Sequence, residues 1–143
     1  MKSEAISYLV NFSSLRSPRS SSQAVQNMVL KNYCDQQGLI FNLSVTEYGF
    51  DMEKRPMLFQ AINRLSNFDK EDRHLVVFSI HSLPTHKTIR LKFFQSLHNE
   101  NIHLHCAAER FSASTARDFY ELKLTIDLLD ICGSKLGSEY VVR

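Results

Sequence analysis

Leu75-Val76-Val77-Phe78-Ser79-Ile80 is the stretch that decides the fold. It is nearly all apolar and does not alternate, the pattern of a strand covered on both faces inside a parallel sheet. It is read as the central strand. Downstream, after Pro84, the residues Ile89, Leu91, Phe93, Phe94 and Leu97 predict a helix, and Ile102 to Ala107 a further strand.

Working upstream gives the same alternation. Ala5 to Phe12 is a strand candidate, closed by a loop over the Ser-, Pro- and Arg-containing segment from Ser13 to Ser22. Val25, Val29 and Tyr33, with Met28 and Leu30 beside them, repeat at helical spacing; serines precede them as N-cap candidates and Gly38 follows as a stop. Leu39 to Val45 reads as the second strand, with a polar segment from Glu47 to Lys54 after it. Pro56 suits the first turn of a short helix presenting Leu58, Ala61, Ile62 and Leu65 on one face.

The last element starts near Ser114 or Thr115 and runs to Cys132, before Gly133. Its stripe of Phe119, Leu122, Ile126 and Leu129 is broadened by Leu124, Leu128 and Ile131, more apolar surface than packing on one sheet requires. A homodimer through this long C-terminal helix is therefore expected, an ordinary wide core face being the alternative. The organisation predicted is one domain over 1–133 and a tail over 134–143.

Composition bounds the rest. A chain of 143 residues, 43% hydrophobic, builds one sizeable core. No apolar run reaches the roughly 18 residues of a membrane span, and Lys2 and Glu4 interrupt any secretory core, so a soluble cytoplasmic protein is expected. Cys34, Cys106 and Cys132 have no C-x-x-C spacing and read as buried thiols. A net charge of +2 does not by itself imply nucleic-acid binding, and Lys87, Arg90 and Lys92 read as a solvated helix face.

Alternating strands and helices imply right-handed crossovers and a mostly parallel sheet with helices on both faces. Ligands then collect at the carboxyl ends of the strands. The loops after Phe12, Val45, Ile80 and Ala107 are the ones that matter.

Against this frame, from Tyr8 to about Leu129 the chain resembles the catalytic domain of the serine recombinases, the resolvases and invertases. Asn11-Phe12-Ser13-Ser14 stands where that family has Arg-Val-Ser-Thr, Gln26 precedes Cys34 at the family's helical spacing, and Arg55-Pro56-Met57-Leu58 matches Arg-Pro-x-Leu. The resemblance implies a three-layer α/β fold with a four-stranded sheet and a long C-terminal helix used in dimerisation. It also implies Ser13 as nucleophile and Arg55 as a phosphate clamp. The departures are as informative. Asn11 replaces an arginine, and His81-Ser82-Leu83-Pro84-Thr85 replaces Asp-Arg-Leu-x-Arg, so most of the charge that would stabilise a phosphoryl transition state is missing. The first loop is longer than the family's and carries Arg16 and Arg19. Few residues follow the predicted long helix, too few for a DNA-reading module, and strand exchange is disfavoured.

A second resemblance covers more of the chain. Ala24-Val25-Gln26-Asn27-Met28-Val29-Leu30 with Tyr33-Cys34, Thr46-Glu47-Tyr48 with Phe50, Phe78-Ser79-Ile80 with Leu83-Pro84, and Leu104-His105 with Glu109 are similar to the sporadic carbohydrate cluster proteins of bacteria. Those proteins are encoded among genes for surface-polysaccharide and unusual-sugar synthesis. The implied partner is a phosphorylated sugar or nucleotide-sugar.

The residues themselves allow a catalytic set of His81, Glu47, Glu109 and Ser13. Imidazole titrates near neutral pH, and a neighbouring carboxylate can orient it for proton transfer. The plainer reading is a strand-end histidine with solvated loop acids. Asn11, Ser14, Arg16, Arg19 and Arg55 form the anion-binding set, with backbone capping by the serines as the alternative. His103 and His105 share one strand face but lack a third ligand, so no metal and no cofactor are assigned.

Overall fold

The computed structural model of the chain describes residues 3–11, 22–48 and 54–141, with the backbone alone for 42 and 132–141. Its elements are β1 (Ser3–Asn11), α1 (Gln23–Gln37), β2 (Leu39–Tyr48), α2 (Pro56–Leu65), β3 (His74–Val77), α3 (Lys87–Asn99), β4 (His103–Cys106), β5 (Phe111–Ala113) and α4 (Ala116–Val141). They form one sheet in the order β2-β1-β3-β4-β5. The first four strands are parallel, and β5 alone is antiparallel, pairing Cys106 with Phe111 and Leu104 with Ala113.

The sheet therefore has five strands where four were expected. The stretch Leu75 to Ile80 does supply the central strand, but pairing ends at Val77, and Ile80–Ser82 turn into a short 3-10 helix. The predicted strand is shorter because Ser79 turns its hydroxyl onto the His81 N–H and starts that turn.

Alternation along β1 divides the core. Ile6, Tyr8 and Val10 join Leu75, Val77, Leu104 and Cys106 beneath α2, α3 and α4. Ala5 and Leu9, with Val76, lie on the opposite face beneath α1, against Leu30, Tyr33 and Cys34. The result is three layers, with one helix on one side and three on the other.

Local signals explain both ends of α1 and the start of α4. Ser22 accepts the Val25 N–H, and Gly38, at φ 72°, closes α1 by donating to the Cys34 carbonyl. Thr115 and Asp118 cap α4 reciprocally: Asp118 accepts the Ser114 and Thr115 N–H groups, and the Thr115 hydroxyl accepts that of Asp118. Leu58, Ala61, Ile62 and Leu65 of α2 are buried as their spacing predicts.

Three expectations change. The buried residues of α1 are Gln26, Leu30, Tyr33 and Cys34, while Val25 and Met28 are 46% and 69% exposed. Arg90 is not on a solvated face: it is 4% exposed and bridges Asp127 and Asp130 of α4 at 3.1 and 3.2 Å. Helix α4 runs past Gly133 through Val141, into positions read as a tail; a helical glycine costs only about 1 kcal/mol relative to alanine and need not end it. On α4, Phe119, Leu122 and Ile126 are buried, whereas Leu129 is exposed with Tyr120, Leu124, Leu128 and Ile131. Cys34 and Cys106 are free and buried. Among the described residues no helix is long and apolar enough to cross a membrane.

Candidate functional site

The carboxyl ends of β1, β2, β3 and β4 face one side of the molecule, and two polar clusters are built there. The first starts from Glu47, which lies opposite Val10 near the end of β2. Strand β2 extends past Val45 through Tyr48, so Glu47 belongs to the strand and is 2% exposed rather than solvated. Its carboxylate accepts the N–H groups of Met57 at 3.1 Å and Leu58 at 3.3 Å, in the first turn of α2. Arg55, the N-cap residue there, offers no side-chain cap, and Glu47 supplies the negative charge that a helix N-terminus favours.

Arg55 itself is held in the left-handed region at φ 51° and is 1% exposed. Its guanidinium donates to the Ser82 carbonyl at 2.6 Å, the Leu83 carbonyl at 3.3 Å and the Tyr8 hydroxyl at 3.2 Å. Tyr8 in turn donates to Glu47 at 3.1 Å. Burial pushes the Tyr8 phenol well above its usual range, with Arg55 opposing and Glu47 adding to the rise. Arg55 thus ties the 3-10 turn after β3 to β1.

Glu109 anchors the other side of that turn. Its carboxylate accepts the Ser79 hydroxyl at 2.8 Å and the Ile80 N–H at 2.9 Å. His81 is exposed in the same turn. Glu47, on β2, and Glu109, after β4, share the carboxyl end, but β1 and β3 lie between their strands. His81 stands in the turn that Glu109 anchors from the β4–β5 connection, and Glu47 belongs to the other cluster.

Asn11 ends β1 and donates to Gln23 of α1 at 3.5 Å, and Gln23 donates onward to Thr46 at 3.3 Å. Ser13, Ser14, Arg16 and Arg19 lie outside the described residues. Sequence reasoning gave Tyr8 no site role and quoted Ser79 and Gln26 only as motif residues. Gln26 donates to the Val10 carbonyl at 2.8 Å and accepts its N–H at 3.2 Å, beyond the point where β3 stops pairing with β1. A buried glutamine on an otherwise apolar helix face was the available signal.

The paired histidines also acquire neighbours. His74, opposite His103, stacks on it with ring centroids 5.0 Å apart, and its Nδ1 lies 3.0 Å from His105 Nε2. Among the described residues no group of three or more His, Cys, Asp or Glu side chains is arranged to hold a metal ion.

Two solved structures share this architecture. The N-terminal catalytic domain of TP901-1 integrase superposes with a TM-score of 0.65 at 17% identity, covering 93% of this chain and 98% of that one. The fold is resolvase-like. A resolvase family site-specific recombinase from Streptococcus pneumoniae gives 0.64 at 13% identity, covering 99% and 92%. No protein-family model and no curated protein matches the chain. At these identities the resolvase-like likeness establishes the architecture alone.

Proposed function

We propose that this resolvase-like chain serves carbohydrate or surface-polysaccharide biosynthesis, binding or modifying a phosphorylated sugar or nucleotide-sugar at the carboxyl ends of its strands. The observation that carries this reading is the use made of Arg55 and Glu47. Both are buried and spend hydrogen bonds on shaping the rim, Arg55 on Ser82 and Leu83 and Glu47 on the start of α2. A residue committed to holding loops supports a ligand cleft better than it supports phosphodiester cleavage, where guanidinium groups must face the phosphate. Among the residues of the carbohydrate-cluster resemblance, Gln26 holds Val10 and Ser79 meets Glu109 at this rim.

In this reading Ser13, Ser14, Arg16 and Arg19 contribute anion-binding groups beside Asn11, and His81 is the exposed imidazole closest to the ligand. Thermal-shift measurements with sugar phosphates and nucleotide-sugars test it. Stabilisation by one of these, absent with the parent unphosphorylated sugar, supports it; no response across both classes removes it. Sequence-selective DNA shifts at moderate salt would instead favour the recombinase reading that the structural neighbours suggest.

A second reading, a non-catalytic dimeric scaffold, is favoured by the exposed stripe of Tyr120, Leu124, Leu128 and Ile131 on α4. Light scattering of the chain and of a Leu124→Glu, Leu128→Glu double variant tests it. A dimer that becomes monomeric in the variant supports it, and a monomer in both cases excludes it.

A further inference from the structure

Helix α1 covers β1 and β2, and further across the sheet it is attached by apolar packing on Val76 of β3 and by a chain of polar contacts. Tyr33 of α1 reaches β4, where its hydroxyl lies 2.8 Å from His105 Nδ1. His105 Nε2 lies 3.0 Å from His74 Nδ1 on β3. His105 is 8% exposed, and His103 stacks against His74 on the same face.

Each of these contacts requires one hydrogen and one lone pair. With both imidazoles neutral, the hydroxyl of Tyr33 donates to Nδ1 of His105, whose Nε2–H donates to Nδ1 of His74. One added proton is absorbed by reversing the chain: His74 Nδ1 becomes the donor to His105 Nε2, and His105 Nδ1–H donates to the tyrosine oxygen. A second proton leaves no lone pair between the rings. Two N–H groups would then face each other at 3.0 Å, two cations beside a third imidazole.

We propose that the Tyr33–His105–His74 chain is a proton-operated latch, fastening α1 to the sheet while the two imidazoles together hold at most one extra proton and releasing it when they hold two. The surroundings put release in the acid range. Burial is the main reason His105 is pushed down to about 4, with His74 and His103 adding to it, and burial and then His103 also lower His74. The groups facing the chain are few. From α1 come Tyr33 and Cys34, both pushed upward by burial and therefore neutral in acid. Cys106 on β4, likewise raised by burial, to about 12, is neutral too. Before β3 stands Asp72, which favours the charged form of His74, and β4 adds His103. The register partners Ala5 on β1 and Ser112 on β5 carry no charge.

Release has a destination. The same helix holds Val10 through Gln26, and Asn11 and Thr46 through Gln23. Letting go of α1 therefore loosens the carboxyl ends of β1 and β2, and with them the geometry of the rim.

Amide hydrogen exchange on the full chain tests this, as protection factors normalised to the intrinsic rate at each pH. Between about pH 7.5 and about pH 5, protection over 24–37 should fall about tenfold or more while that over 58–65 changes less than about threefold. In His105→Gln the selective fall should vanish. Should that variant not fold, Tyr33→Phe gives the same reading: α1 is less protected at neutral pH, and acid adds little. A parallel decline of both segments, persistence of the selective fall in the variant that folds, or a His105 Cε1–H resonance titrating near the ordinary imidazole value of about 6.5 would each overturn the proposal.

Discussion

Arg55 donates through Nη1 to the carbonyl of Ser82 at 2.6 Å, and this bond joins the start of α2 to the turn that follows the central strand. Because the guanidinium is buried, Arg55→Ala strands two carbonyls and a tyrosine hydroxyl without their donor. A loss of about 3 kcal/mol is expected in urea unfolding, with only partial recovery in Arg55→Lys, whose ammonium has no planar fork. An alanine variant as stable as the parent would mean that the arginine serves a ligand and not the fold.

Glu47→Gln keeps an acceptor oxygen beneath α2 but removes the charge. It should cost about 1 to 2 kcal/mol by the same measurement, and Glu47→Ala about 3, since the Met57 and Leu58 N–H groups lose their acceptor. Equal losses in the two variants would show that the carboxylate's charge, not its hydrogen-bonding shape, is what α2 requires.

Gln26 substitutes for a missing strand. Its side-chain amide offers Val10 the donor and acceptor that β3, ending at Val77, no longer provides. Gln26→Leu preserves volume and leaves both backbone groups of Val10 buried and unmatched, so a destabilisation of about 2 kcal/mol is expected despite the gain in apolar surface. A stabilised Leu variant would contradict the strand-substitute role.

The pH dependence of stability follows from His105. Its folded value, about 4, lies below the unfolded imidazole near 6.5, so the unfolded chain binds the proton first. The contribution is whole above about pH 6.5, drains away as the pH falls toward about 4, and changes no further below that. Roughly 3 kcal/mol is at stake. Urea midpoints at about pH 7 and pH 4.5 should therefore differ more in the parent than in His105→Gln, in which only the titration of His74 and the carboxylates remains.

The fold was readable where local chemistry and global packing agree. Pro56 and the 58, 61, 62, 65 spacing define α2, and an uninterrupted apolar run marks β3 as central. The buried face of α1 was misread because its organising residue is polar: Gln26 is inside on account of Val10, a partner that spacing does not reveal. Strand β5 escaped notice because Phe111-Ser112-Ala113 is too short for alternation to register. The positions of Glu47 and Glu109 at strand ends were foreseeable. Their partners were not, since the N–H groups of α2 and of Ile80 arrive there through crossovers, and crossover geometry is a property of the assembled sheet.

The three-residue strand β5 also fixes a direction. By reversing the chain after β4 it makes α4 run antiparallel to α3, so that Phe119 meets Phe94 and, a few turns later, Asp127 and Asp130 meet Arg90 near the start of α3. Adding or deleting one residue in the first turn of α4 would swing the rest of the helix by about 100° about its axis relative to β5. Phe119, Leu122 and Ile126 would rotate out of the sheet and the Leu124 and Leu128 stripe would be re-aimed, so the spacing between β5 and Phe119 sets the azimuth of everything the helix displays.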